Sequence, residues 1–203
     1  VQRLQKQTDD LDERNFMSQT NTVIRSLHDI GLAAWFGGSL MGAVGLNGAA
    51  AKAKDPTERL RISSVGWGRW APVQLAAIAV HGIGGIGLIV TNRGRLAAQQ
   101  GAKSNTLIKT AVTAAAGIAS VAGGLAGSAI LKHSGEGAPG VTESDATTSK
   151  ELASAQRIEK VTQWAIPVLT GVLLVLGAQQ GEQQRAAGWF EDARGRVMHL
   201  IGR

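Results

Sequence analysis

The chain has 203 residues, with 21 Lys and Arg against 15 Asp and Glu for a net charge of +6, and contains neither Cys nor Tyr. The missing thiols exclude disulfides, thiolate metal sites and cysteine catalysis, and leave the compartment open. The basic residues lie between apolar stretches and at the ends, where they would meet anionic lipid and set topology, so no nucleic-acid partner is expected.

Apolar and charged residues are segregated into blocks. Four windows carry no Asp, Glu, Lys or Arg: 30–51, 70–92, 110–131 and 161–181. As a helix, the 23-residue window 70–92 would be about 34 Å long, enough for a hydrocarbon core of about 30 Å. Soluble helices carry charges on their outer face every turn or two. The fold class predicted is therefore all-α, a polytopic membrane protein built as an antiparallel bundle of four transmembrane helices. Its organisation is a polar segment over 1–26, the four-helix domain over 27–181 and an amphipathic tail over 182–203.

In chain order, residues 1–16 predict a short solvated helix. Met17-Ser-Gln-Thr-Asn-Thr is an ordinary start, so translation from Val1 and from Met17 both stay open. The first window is too long for a secretory signal, whose apolar region runs to about 7–15 residues, and reads as an uncleaved span. Gly38 and Gly42 form a Gly-x-x-x-Gly pair that lets another helix approach closely. Asp55-Pro56-Thr57-Glu58 is a helix-start signature, predicting a short surface helix over 56–64. Trp67 and Trp70 then read as interfacial anchors.

The second window holds His81 at its centre, where an ionisable side chain costs free energy and calls for a partner. It also holds Gly82-x-Gly84-x-x-Gly87, a match in letters to the dinucleotide fingerprint. No strand precedes it, and the motif lies inside a spanning window, so close helix packing through Gly82 and Gly84 is expected instead. The third window is the richest in small residues. Ala119, Gly123 and Gly127 form one ladder at spacing four, and Ala116, Ser120, Gly124 and Ser128 the next, predicting a helix central in the bundle.

The connection 133–149 is rich in Gly, Ser, Thr and acid and is expected to be flexible. Thr148 and Glu151 read as a capping box opening the fourth helix, within which Pro167 predicts a kink. In the tail, Phe190, Val197, Leu200 and Ile201 fall on one face, the pattern of a helix lying on the membrane surface. Loop two is wholly basic, with Arg93, Arg95, Lys103 and Lys109, which places both termini in the cytoplasm of a cell-membrane protein.

Chemistry is sparse. Each other span carries a hydroxyl near its centre, so Ser39, Ser120 and Thr170 with His81 predict one polar layer, a possible transport path. Taking each window as centred in the bilayer puts His28 roughly 15–20 Å from His81 along the axis, so no intramolecular bis-His haem is expected. No catalytic residues, cofactor or metal site are predicted. The run Leu-His-Asp-Ile-Gly-Leu-Ala-Ala-Trp-Phe-Gly-Gly-Ser-Leu-Met-Gly at 27–42 resembles uncharacterised four-helix integral membrane proteins of actinobacteria, a likeness covering mainly residues 27–92. Its opening is distantly similar to copper-resistance membrane proteins, without their Met- and His-rich ligand sets. The function expected is a non-enzymatic integral membrane protein, an accessory or assembly subunit or a homo-oligomer, partnered by lipid and by other membrane subunits or itself. The alternatives are a small transporter or proton-conducting protein using His81, and a haem or metal carrier.

Overall fold

The computed structural model describes residues 2–94 and 100–201, with side chains described for 21–94 and 103–182. Among the described residues there is no strand, and four helices are long and apolar enough to cross a membrane. Helix α1 (Gln2–Met41) passes through one π turn (Gly42–Leu46) into the single turn α2 (Asn47–Ala50). Helices α3 (Pro56–Thr91), α4 (Gln100–Lys132) and α5 (Lys150–Ile201) follow, with a 3-10 turn (Ser134–Glu136) between the last two. The helices outrun the apolar windows, because helical propensity and capping continue past the point where charge begins.

That extension corrects several expectations. The first residues are the start of the 40-residue α1, not a separate short helix. The 56–64 helix is the first turns of α3, opened by Asp55, whose carboxylate accepts from the Thr57 and Glu58 amides at 2.7 and 3.1 Å. Pro56 at the first position has no N–H to leave unpaired, so the signature marks the start of a helix that runs on to Thr91. Helix α5 begins one residue late, with the Ser149 hydroxyl, not Thr148, accepting from the Leu152 amide. It runs unbroken past Pro167 to Ile201, so the tail is a continuation of α5; the amphipathic face expected of it lies outside the described side chains.

Helix α1 packs most extensively on α3, and α4 on α5; contacts of α1 with α5 and of α3 with α4 are sparser. Along the α1–α3 seam, Ile24 meets Gly87, His28 meets Gly84, Gly38 meets Trp70 and Gly42 meets Trp67, so numbers fall along α3 as they rise along α1. The outer surface is apolar, with Leu75, Ile83, Ile118, Val121 and Leu125 each about two-thirds exposed or more. A surface of that kind suits lipid and not water. Of the most apolar window of each helix, 33% is buried in α1 and α5 but only 17% in α3 and α4. The small-residue helix α4 is thus no more enclosed than α3 and packs chiefly on α5, against the central place expected for it.

The two ends of the bundle differ. At the end holding α2, the connection 133–149 folds down as a cap, with Ala138, Val141 and Thr142 buried. Leu60, Ile130, Ala138, Leu152 and Ala155 form an apolar cluster there. The Arg59 guanidinium donates to the Ala138, Pro139 and Ala53 carbonyls at 2.6–2.8 Å, and the Gln156 amide to those of Gly140 and Val141 at 3.0 and 3.1 Å. Gly137, at φ +70, turns the chain back against Pro56, a conformation open to glycine at little cost. The expectation of flexibility fails because these side chains collect backbone carbonyls that composition alone leaves unassigned.

Candidate functional site

Helices α1 and α3 meet most closely at two glycines. A Cβ added to Gly31 would lie 2.6 Å from the Ala77 carbonyl oxygen and from the His81 nitrogen, and one added to Gly84 would lie 2.6 Å from the His28 nitrogen. Missing Cβ atoms bring the backbones together, and each imidazole then reaches the other helix's main chain. His28 Nδ1 lies 3.0 Å from the His81 carbonyl oxygen, and His81 Nδ1 3.0 Å from the His28 carbonyl oxygen. A carbonyl only accepts, so both Nδ1 atoms carry the proton and donate, leaving each Nε2 as the nitrogen not committed to the backbone. The rings stack with centroids 4.0 Å apart and planes at 21°. The segments involved are His28-Asp-Ile-Gly31 and His81-Gly-Ile-Gly84, the same His-x-Ile-Gly pattern on both helices, each histidine lying over the other's glycine.

This clasp overturns the depth assigned to the histidines. Because α1 and α3 run antiparallel, windows in step would set Trp70, the first residue of the second, near Ala51, the last of the first; it meets Gly38 instead, so the windows are out of step by roughly 15–20 Å. His81 is level with His28 and Gly31, at the start of the first window and not at its centre. The partner that a buried His81 required is a second histidine's backbone, and the repeated His-x-Ile-Gly was the signal that could have revealed it.

Beside the clasp lies a cavity of about 680 Å³ lined by α1, α3, α4 and α5. Its deep wall is His81, Leu32 and Leu173, 3%, 4% and 1% exposed, and its flanks include Ile86, Ile89 and Leu174. Arg25, Asp29, Asn92, Lys109 and Gln180 line it at the end opposite the cap, where the Lys109 ammonium donates to the Gln180 side-chain oxygen at 2.9 Å. Apolar walls with a few convergent polar groups are the general form of a small-molecule site. Two cations against one carboxylate give the outer rim a positive balance. The arrangement thus offers an apolar body site, a charged rim and a pair of imidazoles at one wall.

The single polar layer does not form. The Ser120 hydroxyl accepts from the Trp35 indole at 3.1 Å, Thr170 donates to the Ile166 carbonyl of its own helix at 2.7 Å, and the Ser39 hydroxyl, 2% exposed, has no hydrogen-bond partner. Ser39 stands eight residues along α1 from Gly31, roughly 12 Å from the level of His81. Trp35, wholly buried and 6.1 Å from the His81 ring in an edge-on contact, lies between His81 and Ser120. Gln74, two turns before His81 on α3, accepts from the Trp70 indole at 3.0 Å.

The expected packing glycines divide. Gly84 meets backbone, and Gly123 meets the Thr162 hydroxyl, 3.0 Å from an added Cβ. Gly38 and Gly42 receive the rings of Trp70 and Trp67, which pack against α1. Gly82, Gly124 and Gly127 meet nothing, so they are not packing positions: Gly82 lines the cavity, and Gly124 faces outward.

Face-to-face rings cannot bracket an iron, since axial imidazoles must point at the metal from opposite sides. The described residues also gather no group of three or more His, Asp or Glu. Two polar clusters near the cap were not anticipated. In one, the Asn47 side-chain oxygen accepts from Ser63 and the Trp67 indole, each at 2.9 Å, while its amide donates to Gln163 at 2.9 Å. The other comprises Gln156 and Glu159, both buried on α5; Glu159 lies two residues before the charge-free window. No family model matches the chain, and no curated protein or solved structure does either.

Proposed function

We propose that the chain is an integral membrane protein, a four-span antiparallel bundle with both termini on the cytoplasmic side of the cell membrane, that binds or carries a small amphipathic molecule with an anionic head. The supporting observation is the 680 Å³ cavity walled by all four long helices, apolar within and rimmed by Arg25 and Lys109. The head would sit at the rim, the apolar body along Leu32, Ile86 and Leu173, and a hydroxyl or amide of the ligand would find an Nε2 of the clasp. No catalytic step is assigned to it.

Gly82 provides the test. It lines the cavity and an added Cβ there meets nothing within 4 Å, so Gly82→Phe fills the space without disturbing helix packing. With the protein in nanodiscs and a fluorescent fatty acid as probe, the variant should bind at least about tenfold more weakly, a loss of about 1.4 kcal/mol, at an unchanged melting temperature. Equal affinity in the variant would falsify the reading. A subunit or homo-oligomer role is the second reading, favoured by the outward Gly124 and Ser128 of α4 beside exposed Val121 and Leu125. Native mass spectrometry of the gently solubilised protein separates the two, through a bound small molecule or a bound protein.

A further inference from the structure

The buried face of α5 near the cap carries two side-chain oxygens without a hydrogen-bond partner. Gln156, 1% exposed, leaves Oε1 unpaired, and Glu159, 9% exposed, leaves Oε2 unpaired. The residues are three apart on one helix, so their side chains are neighbours on one face, with Cβ atoms about 5–6 Å apart. The orientation of the Gln156 amide is set, because its nitrogen donates to the Gly140 and Val141 carbonyls at 3.0 and 3.1 Å. Turning the amide over would set oxygen against oxygen. Both unpaired atoms are therefore acceptors, and the place lacks a positive or hydrogen-bearing partner.

The neighbourhood does not supply one. The Thr162 hydroxyl lies near enough to Glu159 to interact with its carboxylate, but its single proton is given to the Ile158 carbonyl of its own helix at 3.0 Å, and a hydroxyl supplies no positive charge. From α4 the facing residue is Gly123, whose absent side chain leaves room next to Glu159 Oε2. The charged residues nearest in sequence, Arg157 and Lys160, are exposed, and Lys160 turns to Glu143 at 3.9 Å. No charged group from α1, α3, α4 or the 133–149 cap acts on Glu159 among the described residues. Asn47 and Gln163, one turn further along α5, are committed to each other. A buried carboxylate without a counter-charge is costly.

We infer that Gln156 and Glu159 form a binding site for a monovalent cation, a proton or a sodium ion, that supplies the missing positive partner. A proton would reside on the Glu159 carboxyl and be donated to Gln156 Oε1; a sodium ion would be held between the two oxygens. The site is independent of the clasp-side cavity and lies at the other end of the bundle.

Dicyclohexylcarbodiimide, an apolar reagent that modifies protonated carboxyl groups, reports the site. The unaltered chain in phosphatidylcholine vesicles is treated with it from about pH 5 to about pH 9, in choline or in sodium chloride. Peptide mass spectrometry then locates the adduct, so the result does not depend on a variant folding. An adduct at Glu159 that fades with rising pH equally in both salts assigns a proton. One that sodium suppresses at constant pH assigns the ion. No adduct at Glu159 anywhere in that range, while the protein melts cooperatively, overturns the inference.

Discussion

At the scale of single residues, what matters is whether the atom a substitution would strike can yield. At Gly31 an added Cβ meets the Ala77 carbonyl and the His81 nitrogen, both backbone atoms of a packed helix. Gly31→Ala should cost about 2–3 kcal/mol, seen as a lowered melting temperature in detergent. Gly124→Leu should leave that temperature near the parent value, because nothing lies within 4 Å of the new atom. The spacing-four ladder marks Gly124 as a packing position and does not reach Gly31. Periodicity shows that a face is made of small residues but not whether another helix of the chain covers it. His81→Leu loses one hydrogen bond of the clasp, with the ring stacking on His28 and the edge contact of Trp35, and keeps the other bond, since His28 donates to the main-chain carbonyl of residue 81. A loss of about 0.5–1.5 kcal/mol is expected in thermal unfolding, and His28→Leu should cost about the same.

At the scale of elements, the π turn and the cap deserve separate accounts. The π turn over Gly42–Leu46 changes the register of the first span just before Asn47, which is 7% exposed and whose side chain makes three hydrogen bonds. Asn47→Leu would strand Ser63, Trp67 and Gln163 together, costing at least about 3 kcal/mol in chemical unfolding, given about 1–3 for each of the three groups left unsatisfied. The cap responds to acid. Hydrogen bonds from Ser149, then His133, hold the Glu136 carboxyl below its ordinary range, and those from Thr147, then Thr148, do the same for Asp145. Carboxyls depressed on folding stabilise above their unfolded pKa, and the contribution is lost as pH falls through the folded values. Amides of 145–149, corrected for intrinsic rates, should thus exchange faster below the usual carboxylate range and show no such change near neutrality. The four windows revealed the helices, and Asp55-Pro56 one of their starts. The cap and the Asn47 hub were not legible, because they depend on which side chains collect which distant backbone carbonyls and amides.

At the scale of the molecule, a sealed end and a hollow end divide the bundle. The absence of Cys makes the parent a blank background, so single-cysteine variants report sidedness directly. Lys54→Cys and Ser144→Cys, both exposed at the capped end, should react with an impermeant maleimide from one face of a vesicle, and Ser104→Cys from the other. Reaction of all three from one face would refute the four-span reading.

The histidine clasp also has a mechanical meaning. Each bond joins a side chain of one helix to the main chain of the other, and each glycine admits only the segment now lying on it. Sliding α1 along α3 by one turn would break both bonds together and drive side chains into backbone at two points. The joint therefore resists translation, and with the contacts along the rest of the seam it holds α1 and α3 together as one lever beside the cavity. Any widening that admits a ligand must come from the looser contacts between that lever and the α4–α5 pair, with the capped end as the fulcrum.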